Sequence, residues 1–309
     1  MSMAAEAKKL SAAEQLDELN RETGKLHAWI RTQANAPAQR PWFTDTGGAT
    51  GAGELAKGRV AANQMKMLAH RWRWREIYPY LKKISDIARA ADVKRFVYVS
   101  SSEVYGTARH VPIDEDHPLQ AQSPYAASKI ASDQLALSFH RSFDVPVVIL
   151  RPFNTYGPRQ SGRAIIPTVI AQIASGAREI RLGSLHPTRD FSFVTDTVRG
   201  FMHAAVAEKA VGEVFNTGSG FEISVADTTK LIAELMHADV DVVRSHERVR
   251  PAASEVERLC ARISKAADQL HWTPDYAGRD GFIRGLEQTI AWFRNPDNLR
   301  RYKAERYNI

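Results

Sequence analysis

The chain has 309 residues, 44% hydrophobic and 25% charged, enough to bury a full core as one large domain or two modest ones. Its one cysteine, Cys260, excludes an intrachain disulfide and a cysteine-based zinc cluster, and cysteine's usual burial predicts an inert, buried thiol. The net charge of +7 is uneven: residues 1–84 hold 14 Lys and Arg against 8 Asp and Glu, leaving 28 against 27 for the rest, so no general nucleic-acid surface is expected.

No apolar run approaches the ~20 residues that span a bilayer, and the charged stretch Met1 to Leu10 does not read as a secretory signal. A cytoplasmic protein without a membrane partner is the expectation. The first 84 residues are rich in Ala, Arg, Gln and Trp, with a glycine cluster from Thr46 to Gly53 and an Arg-Trp alternation from Arg71 to Arg75. No buried apolar strand precedes the glycines.

From about Ser85 the sequence alternates strand and helix patterns, as a parallel α/β domain does. Arg95 to Ser100 is a short apolar run of β-branched and aromatic residues, the pattern of a strand buried on both faces. A helix follows with Ser123 at its N-cap and Pro124 at its first position, running to about Phe143. Val145 to Leu150 reads as a second buried strand, so strand, helix and strand form a βαβ unit whose strands end on one edge of the sheet. Further elements are a helix from Ala164 to Ala174, a strand from Glu213 to Thr217, a helix from Val225 to Met236 and an amphipathic helix from Gly281 to Phe293. The tail from Asn295 to Ile309 reads as a surface extension.

Ligands of open α/β sheets bind beyond the carboxyl ends of the strands, which directs attention to Ser101 to Gly106 and to Arg151 to Gly157. Tyr125 and Lys129, four apart on the helix, share a face, so the ammonium can lie near the phenol and favour phenolate. That suits a base for a hydroxyl whose carbon gives up hydride. The same spacing also describes an ordinary surface pair, and the serines of 100–102 also suit turn formation. The turn at Asn216, Gly218 and Gly220 reads equally as a close approach to ligand or as a plain strand-to-loop turn.

Six stretches in order, KRFVYVSSSEVYG, SPYAASK, LRPFNTYGPRQ, RDFSFVTDTVRGF, EVFNTGSG and RPAASEVERLCARISKAADQLHW, resemble the extended short-chain dehydrogenases, the NAD-dependent epimerase/dehydratase family acting on nucleotide sugars. The similarity runs from about Ser85 to the end of the chain. Within the family, VPIDEDHPLQAQSPYAASK, RPFNTYGPRQSGRAIIPTVI, LGSLHPTRDF and the ending YNI resemble most the UDP-N-acetylglucosamine 4,6-dehydratases of nonulosonic acid pathways.

The resemblance implies an α/β fold: a Rossmann-like parallel sheet (85–158 and 189–218) with a smaller α/β substrate-binding part (159–188 and 219–309). It implies NAD as cofactor, a UDP-sugar as substrate and a homodimer, with no metal. By similarity Tyr125 is the base for the sugar 4-hydroxyl, Lys129 holds the nicotinamide ribose, Ser101 hydrogen-bonds the hydroxyl and Glu103 takes the C5 proton. Ser100 and Pro152 join Tyr125 and Lys129 as cofactor contacts. Asn154, Arg159, Arg189, Asn216, Arg250 and Glu255 are the substrate contacts, with Glu257 an alternative to Glu255 at the uridine ribose. Ser102 stands where many hexose dehydratases have an aspartate that protonates the departing hydroxyl, which leaves that acid unassigned and keeps 4-epimerase chemistry open.

The family opens with a strand and a glycine-rich turn that binds the cofactor pyrophosphate, and residues 1–84 do not match it. Three accounts stand: a changed reading frame upstream of a family sequence, a replacement module that binds RNA or an acidic partner, and a divergent cofactor site or an inactive homologue serving as scaffold. Losing the first βαβ unit would expose an apolar sheet edge.

Overall fold

The computed structural model describes residues 88, 93–245, 248, 251–300 and 302; the accounts of residues 1–84 lie outside the described residues. The sheets and the helices packed on them belong to the unit Arg95–Ile309.

Strands β1 (Phe96–Val99), β2 (Val147–Pro152) and β6 (Val214–Thr217) form a parallel sheet in the order β1-β2-β6. Helix α1 (Pro124–Phe143) joins β1 to β2. It starts where local chemistry says it must: the Ser123 hydroxyl accepts from the Ala126 N–H at 3.1 Å and Pro124 fills the first turn. It ends at Asp144 in the left-handed region, with φ 53°. Strand β2 begins two residues later than its apolar run suggests. Pro146 has no N–H to give to a ladder, and its carbonyl accepts from Phe96 N–H at 2.9 Å.

Alternation along β2 serves both faces. Val147 and Ile149 pack with Ala136, Leu137 and Phe139 of α1. Val148 and Leu150 pack on the other side with Phe215, Ala204 and Trp272, under helices α3 (Val194–Val206) and α5 (Ser264–Leu270). This is the near-continuous apolar reading of a sandwiched parallel strand. β1 departs from the expectation of burial on both faces: its first three residues are half-buried and Val99 is 49% exposed. Among the described residues β1 pairs only with β2.

A second layer contains β3 (Asn154–Tyr156) parallel to β5 (Thr188–Phe193), with β7 (Glu222–Ser224) antiparallel to β5. Helices α2 (Ile165–Ala174), α4 (Val225–Met236) and α6 (Gly278–Arg294) close an aromatic core of Tyr156, Phe191, Phe193, Phe282 and Phe293. α2, α4 and β6 match the sequence expectation to within a residue; α6 is longer at both ends. Strands β4 (Glu179–Leu182) and β8 (Asp241–Arg244) form a separate parallel pair.

Gly285 of α6 lies against Tyr156, whose hydroxyl donates to the Phe282 carbonyl at 3.1 Å. A Cβ at 285 would sit 2.0 Å from that hydroxyl oxygen and 3.0 Å from the Phe193 ring. Gly285→Ala is therefore expected to lower stability by about 2–3 kcal/mol despite alanine's better helix propensity, because overpacking outweighs propensity. Urea unfolding checks this; an equal or higher midpoint would show that Tyr156 moves aside freely.

The tail is not simply an extension. Asn295 caps α7 (Pro296–Leu299), Leu299 and Tyr302 pack on the aromatic core, and the Tyr302 hydroxyl donates to the Gln160 carbonyl at 2.8 Å. Apolar Leu299 and Tyr302 have a core within reach, which a reading of the polar residues between them hides. Cys260 is buried, and burial pushes its thiol up to about 12, as an inert cysteine requires.

Candidate active site

The carboxyl end of β1 runs into a single 3-10 turn, Ser102–Tyr105. Ser101 is extended, and its hydroxyl caps the turn by accepting from the Glu103 N–H at 3.2 Å. Gly106 ends it at φ 63°, where a Cβ would meet the Gln120 carbonyl and the Gln122 side chain at 2.7 Å. Val104 and Tyr105 are thereby driven into the core, while Ser101 and Glu103 stay half-buried. Ser102 is 2% exposed.

Tyr125 and Lys129 come one turn apart at the start of α1. Tyr125 is 52% exposed, so its phenol is open to a ligand. The Lys129 ammonium donates to the Val99 carbonyl at 2.8 Å, tying α1 to the end of β1. It also lies 5.4 Å from the Tyr98 ring centre and 6.0 Å from that of Tyr125. Partial burial lowers the Lys129 pKa from its ordinary value, and the charge of Asp133 works against this. Ser101, Glu103, Tyr125 and Lys129 are thus gathered by one strand end and one helix start.

Behind them is a polar cluster that reading the motifs alone does not find. Asp133, at 0% exposure, accepts from Arg151 Nε at 3.0 Å; Arg151 is 3% exposed and donates to the Tyr105 hydroxyl at 2.9 Å. Tyr105 donates in turn to Asn216 Oδ1 at 2.7 Å, and burial pushes its phenol up to about 12. The signal was present in the spacing: Tyr125, Lys129 and Asp133 fall at i, i+4 and i+8 on one helical face.

Asn216 is a correction. It is fully buried, its amide spans Tyr105 and the Ile113 carbonyl, and its N–H donates to Glu115 Oε1 at 2.8 Å. It holds the end of β6 in place and has no surface to offer a substrate. Gly218 follows the same logic, since a Cβ there would sit 2.4 Å from Ala261 Cβ and 2.8 Å from Asp190 Oδ2. The close approach at Gly218 is between two parts of the chain.

Arg189 on β5 and Glu255 are joined to each other, Nη2 to Oε1 at 3.3 Å, with Arg189 also donating to the Thr188 carbonyl. Both side chains are about one-tenth exposed. Glu257 instead pairs with His186 at 2.7 Å. Asn154 lies on β3 and its Oδ1 is buried without a partner. Arg159 is exposed, in the left-handed region at φ 67°. Ser100 is buried, while half-buried Pro152 ends β2 opposite Thr217. Arg250 lies outside the described residues. Among the described residues no group of three His, Cys, Asp or Glu could hold a metal ion, and no helix is long and apolar enough to cross a membrane.

Residues 81–284 match the family model described as GDP-mannose 4,6 dehydratase. A dTDP-glucose 4,6-dehydratase from Actinoplanes sp. is 34% identical over 215 residues, covering 68% of this chain and 63% of that protein. The human dTDP-D-glucose 4,6-dehydratase is 31% identical over 219 residues, 70% of this chain and 60% of that one. The chain therefore spans less than two thirds of the length of these relatives. Among solved structures, the UDP-N-acetylglucosamine 4-epimerase of Methanobrevibacter ruminantium, in complex with UDP-N-acetylmuramic acid, superposes with a TM-score of 0.62 at 29% identity, covering 70% of this chain and 67% of that one. A dTDP-glucose 4,6-dehydratase double mutant from Streptomyces venezuelae, with NAD bound, gives 0.62 at 28% identity over 70% of this chain and 65% of that one. The folded part from β1 onward is that of a Rossmann-type α/β protein, and the chain belongs to the NAD-dependent epimerase/dehydratase family of extended short-chain dehydrogenases.

Proposed function

We propose that the chain is an NAD-dependent nucleotide-sugar 4,6-dehydratase taking a UDP-N-acetylglucosamine-type substrate. The observation that carries this reading is the convergence of Ser101, Glu103, Tyr125 and Lys129 at one strand end, with Lys129 tied to the Val99 carbonyl. In this reading the sheet β1-β2-β6 with residues 85–158 and 189–218 forms the cofactor side, and residues 159–188 and 219–309 form the substrate side.

The described residues fit the nicotinamide half of NAD: a half-buried ammonium, an exposed phenol and the buried Ser100 hydroxyl lie near the carboxyl ends of β1 and β2. When bound, the nicotinamide supplies a hydride acceptor at sugar C4 and later a hydride donor at C6. Tyr125 takes the proton of the 4-hydroxyl, and the Lys129 charge favours its phenolate. Ser101 hydrogen-bonds that hydroxyl. Once C4 is a ketone the C5 proton is acidic, and Glu103 removes it as water leaves C6. Asn154, with its unpartnered carbonyl oxygen, holds the sugar, while Arg159, Arg189 and Arg250 serve the diphosphate, a task suited to the guanidinium fork. Glu255 orients Arg189 and serves the uridine ribose. A homodimer is part of the same proposal.

One observation favours a second reading, a UDP-sugar 4-epimerase. Ser102, at the position of the elimination acid in many dehydratases, is 2% exposed and cannot deliver a proton to a leaving hydroxyl, and epimerisation needs no such acid.

The test is incubation of full-length protein with NAD and UDP-N-acetylglucosamine, with products analysed by mass spectrometry, alongside calorimetric titration of NAD. Loss of one water gives the dehydratase, and an isomer of unchanged mass gives the epimerase. Folded protein that binds no NAD would withdraw the enzyme reading and leave an inactive homologue acting as a binding or scaffold protein.

A further inference from the structure

We propose that Asp133 is a positioning residue, paired with Arg151 in a buried brace that fixes the helix carrying Tyr125 and Lys129 against β2 and the turn after β1. This rests on the reading of Lys129 as part of the reactive group.

The brace reaches each element of the candidate site. Asp133 lies two turns beyond Tyr125 and one beyond Lys129 on the same face of α1. Arg151, on β2, joins it to Tyr105, the last residue of the turn that carries Glu103, and also donates to the Glu115 carbonyl at 3.5 Å. Tyr105 passes the connection to Asn216 at the end of β6. Four segments that meet only in the folded chain are fixed by one run of side chains.

A buried ion pair is a poor way to stabilise a fold, because desolvation of two charges offsets their attraction, and well-packed apolar residues commonly do as well. A role in alignment accounts for charges at this place. Asp133 spends Oδ2 on Arg151, and the buried Ser100 hydroxyl bears on the same carboxylate. Complete burial pushes its carboxyl above the ordinary carboxylate range, while Ser100, Arg151 and Lys129 pull it back. Facing Lys129 are the Val99 carbonyl and Tyr98 ring from β1, and Tyr125 and Asp133 from α1 itself. Asp133 is the anion of this set. Its charge opposes the lowering of the Lys129 pKa by burial.

The experiment is acylation of the full-length protein with acetic anhydride at mildly alkaline pH, reading Lys129 against exposed Lys230 by peptide mass spectrometry. Asp133→Asn keeps the shape and removes the charge. The Lys129 to Lys230 ratio is expected to rise about tenfold, as when an opposite charge one helical turn away is lost. An unchanged or lower ratio in folded protein overturns the proposal, since a purely structural role would move melting temperature alone. Asp133→Asn leaves the Arg151 charge buried alone, so Asp133→Asn combined with Arg151→Gln is the second variant, with the same expected rise. Failure of that neutral pair to fold would make the brace a packing requirement and equally overturn it. The readout needs no turnover, so a risen ratio without activity in any variant sinks the enzyme reading and leaves the brace standing.

Discussion

Tyr125→Phe is expected to lower kcat about a thousandfold, within the range a positioned acid–base group supplies, while leaving the melting temperature unchanged. Tyr125 is 52% exposed, and no core cluster depends on its hydroxyl, so nothing in the packing distinguishes the two residues. What is lost is the proton acceptor. The phenol stands one helical turn from an ammonium held at the end of β1, and phenylalanine keeps the ring and the neighbouring charge. NAD affinity should therefore change little, and the loss should fall on kcat rather than KM, the mark of an interaction made in the transition state. The measurement is steady-state turnover of UDP-N-acetylglucosamine with calorimetric NAD binding on the same samples. Activity within threefold of the parent would remove Tyr125 from the base role and leave Glu103 as the remaining candidate.

What the sequence revealed and what it hid divide along the range of the interactions. α1 and α4 were legible because their starts are written locally: Ser123 and Ser224 each accept from the N–H three residues on. β1, β2 and β6 were legible as apolar runs, and the error at the start of β2 is the missing N–H of Pro146. β3, β5 and β7 are short and hold together by pairings that no local pattern encodes, such as Asp190 opposite Glu222. The grouping of the candidate reactive residues is legible because Ser101 and Glu103 directly follow β1 and Tyr125 and Lys129 share one face at the start of α1. The supporting residues were not, since Asp133 on a helix looks like any solvated acid until Arg151 is found beside it. The pairing of Arg189 with Glu255, 66 positions apart, is likewise a long-range contact that no local pattern encodes. Asn216 precedes a glycine turn, which in sequence suits a ligand contact as well as a plain turn, but full burial commits its amide to Tyr105 and Ile113.

Asp190→Ala is expected to cost about 4–5 kcal/mol, among the largest effects a single substitution produces. Asp190, next to Arg189 on β5, is fully buried and receives four donors: the Ser219 N–H at 2.7 Å and hydroxyl at 2.6 Å, and the Gly220 and Ala261 N–H groups at 3.0 Å. Burial raises its pKa, and those donors oppose the rise. Removing the carboxylate orphans three backbone N–H groups where water has no room, at about 1–3 kcal/mol each. Asp190→Asn should recover little, because one face of the amide turns an N–H toward the N–H groups it replaced an acceptor for. The same carboxylate fixes the turn after β6 to the segment that brings Glu255 to Arg189, so stability and the substrate side of the site should fail together. Urea unfolding with an unchanged m-value measures the loss. A cost under about 1 kcal/mol would mean that relaxation of the turn satisfies those donors, and that Asp190 is not what holds the loop.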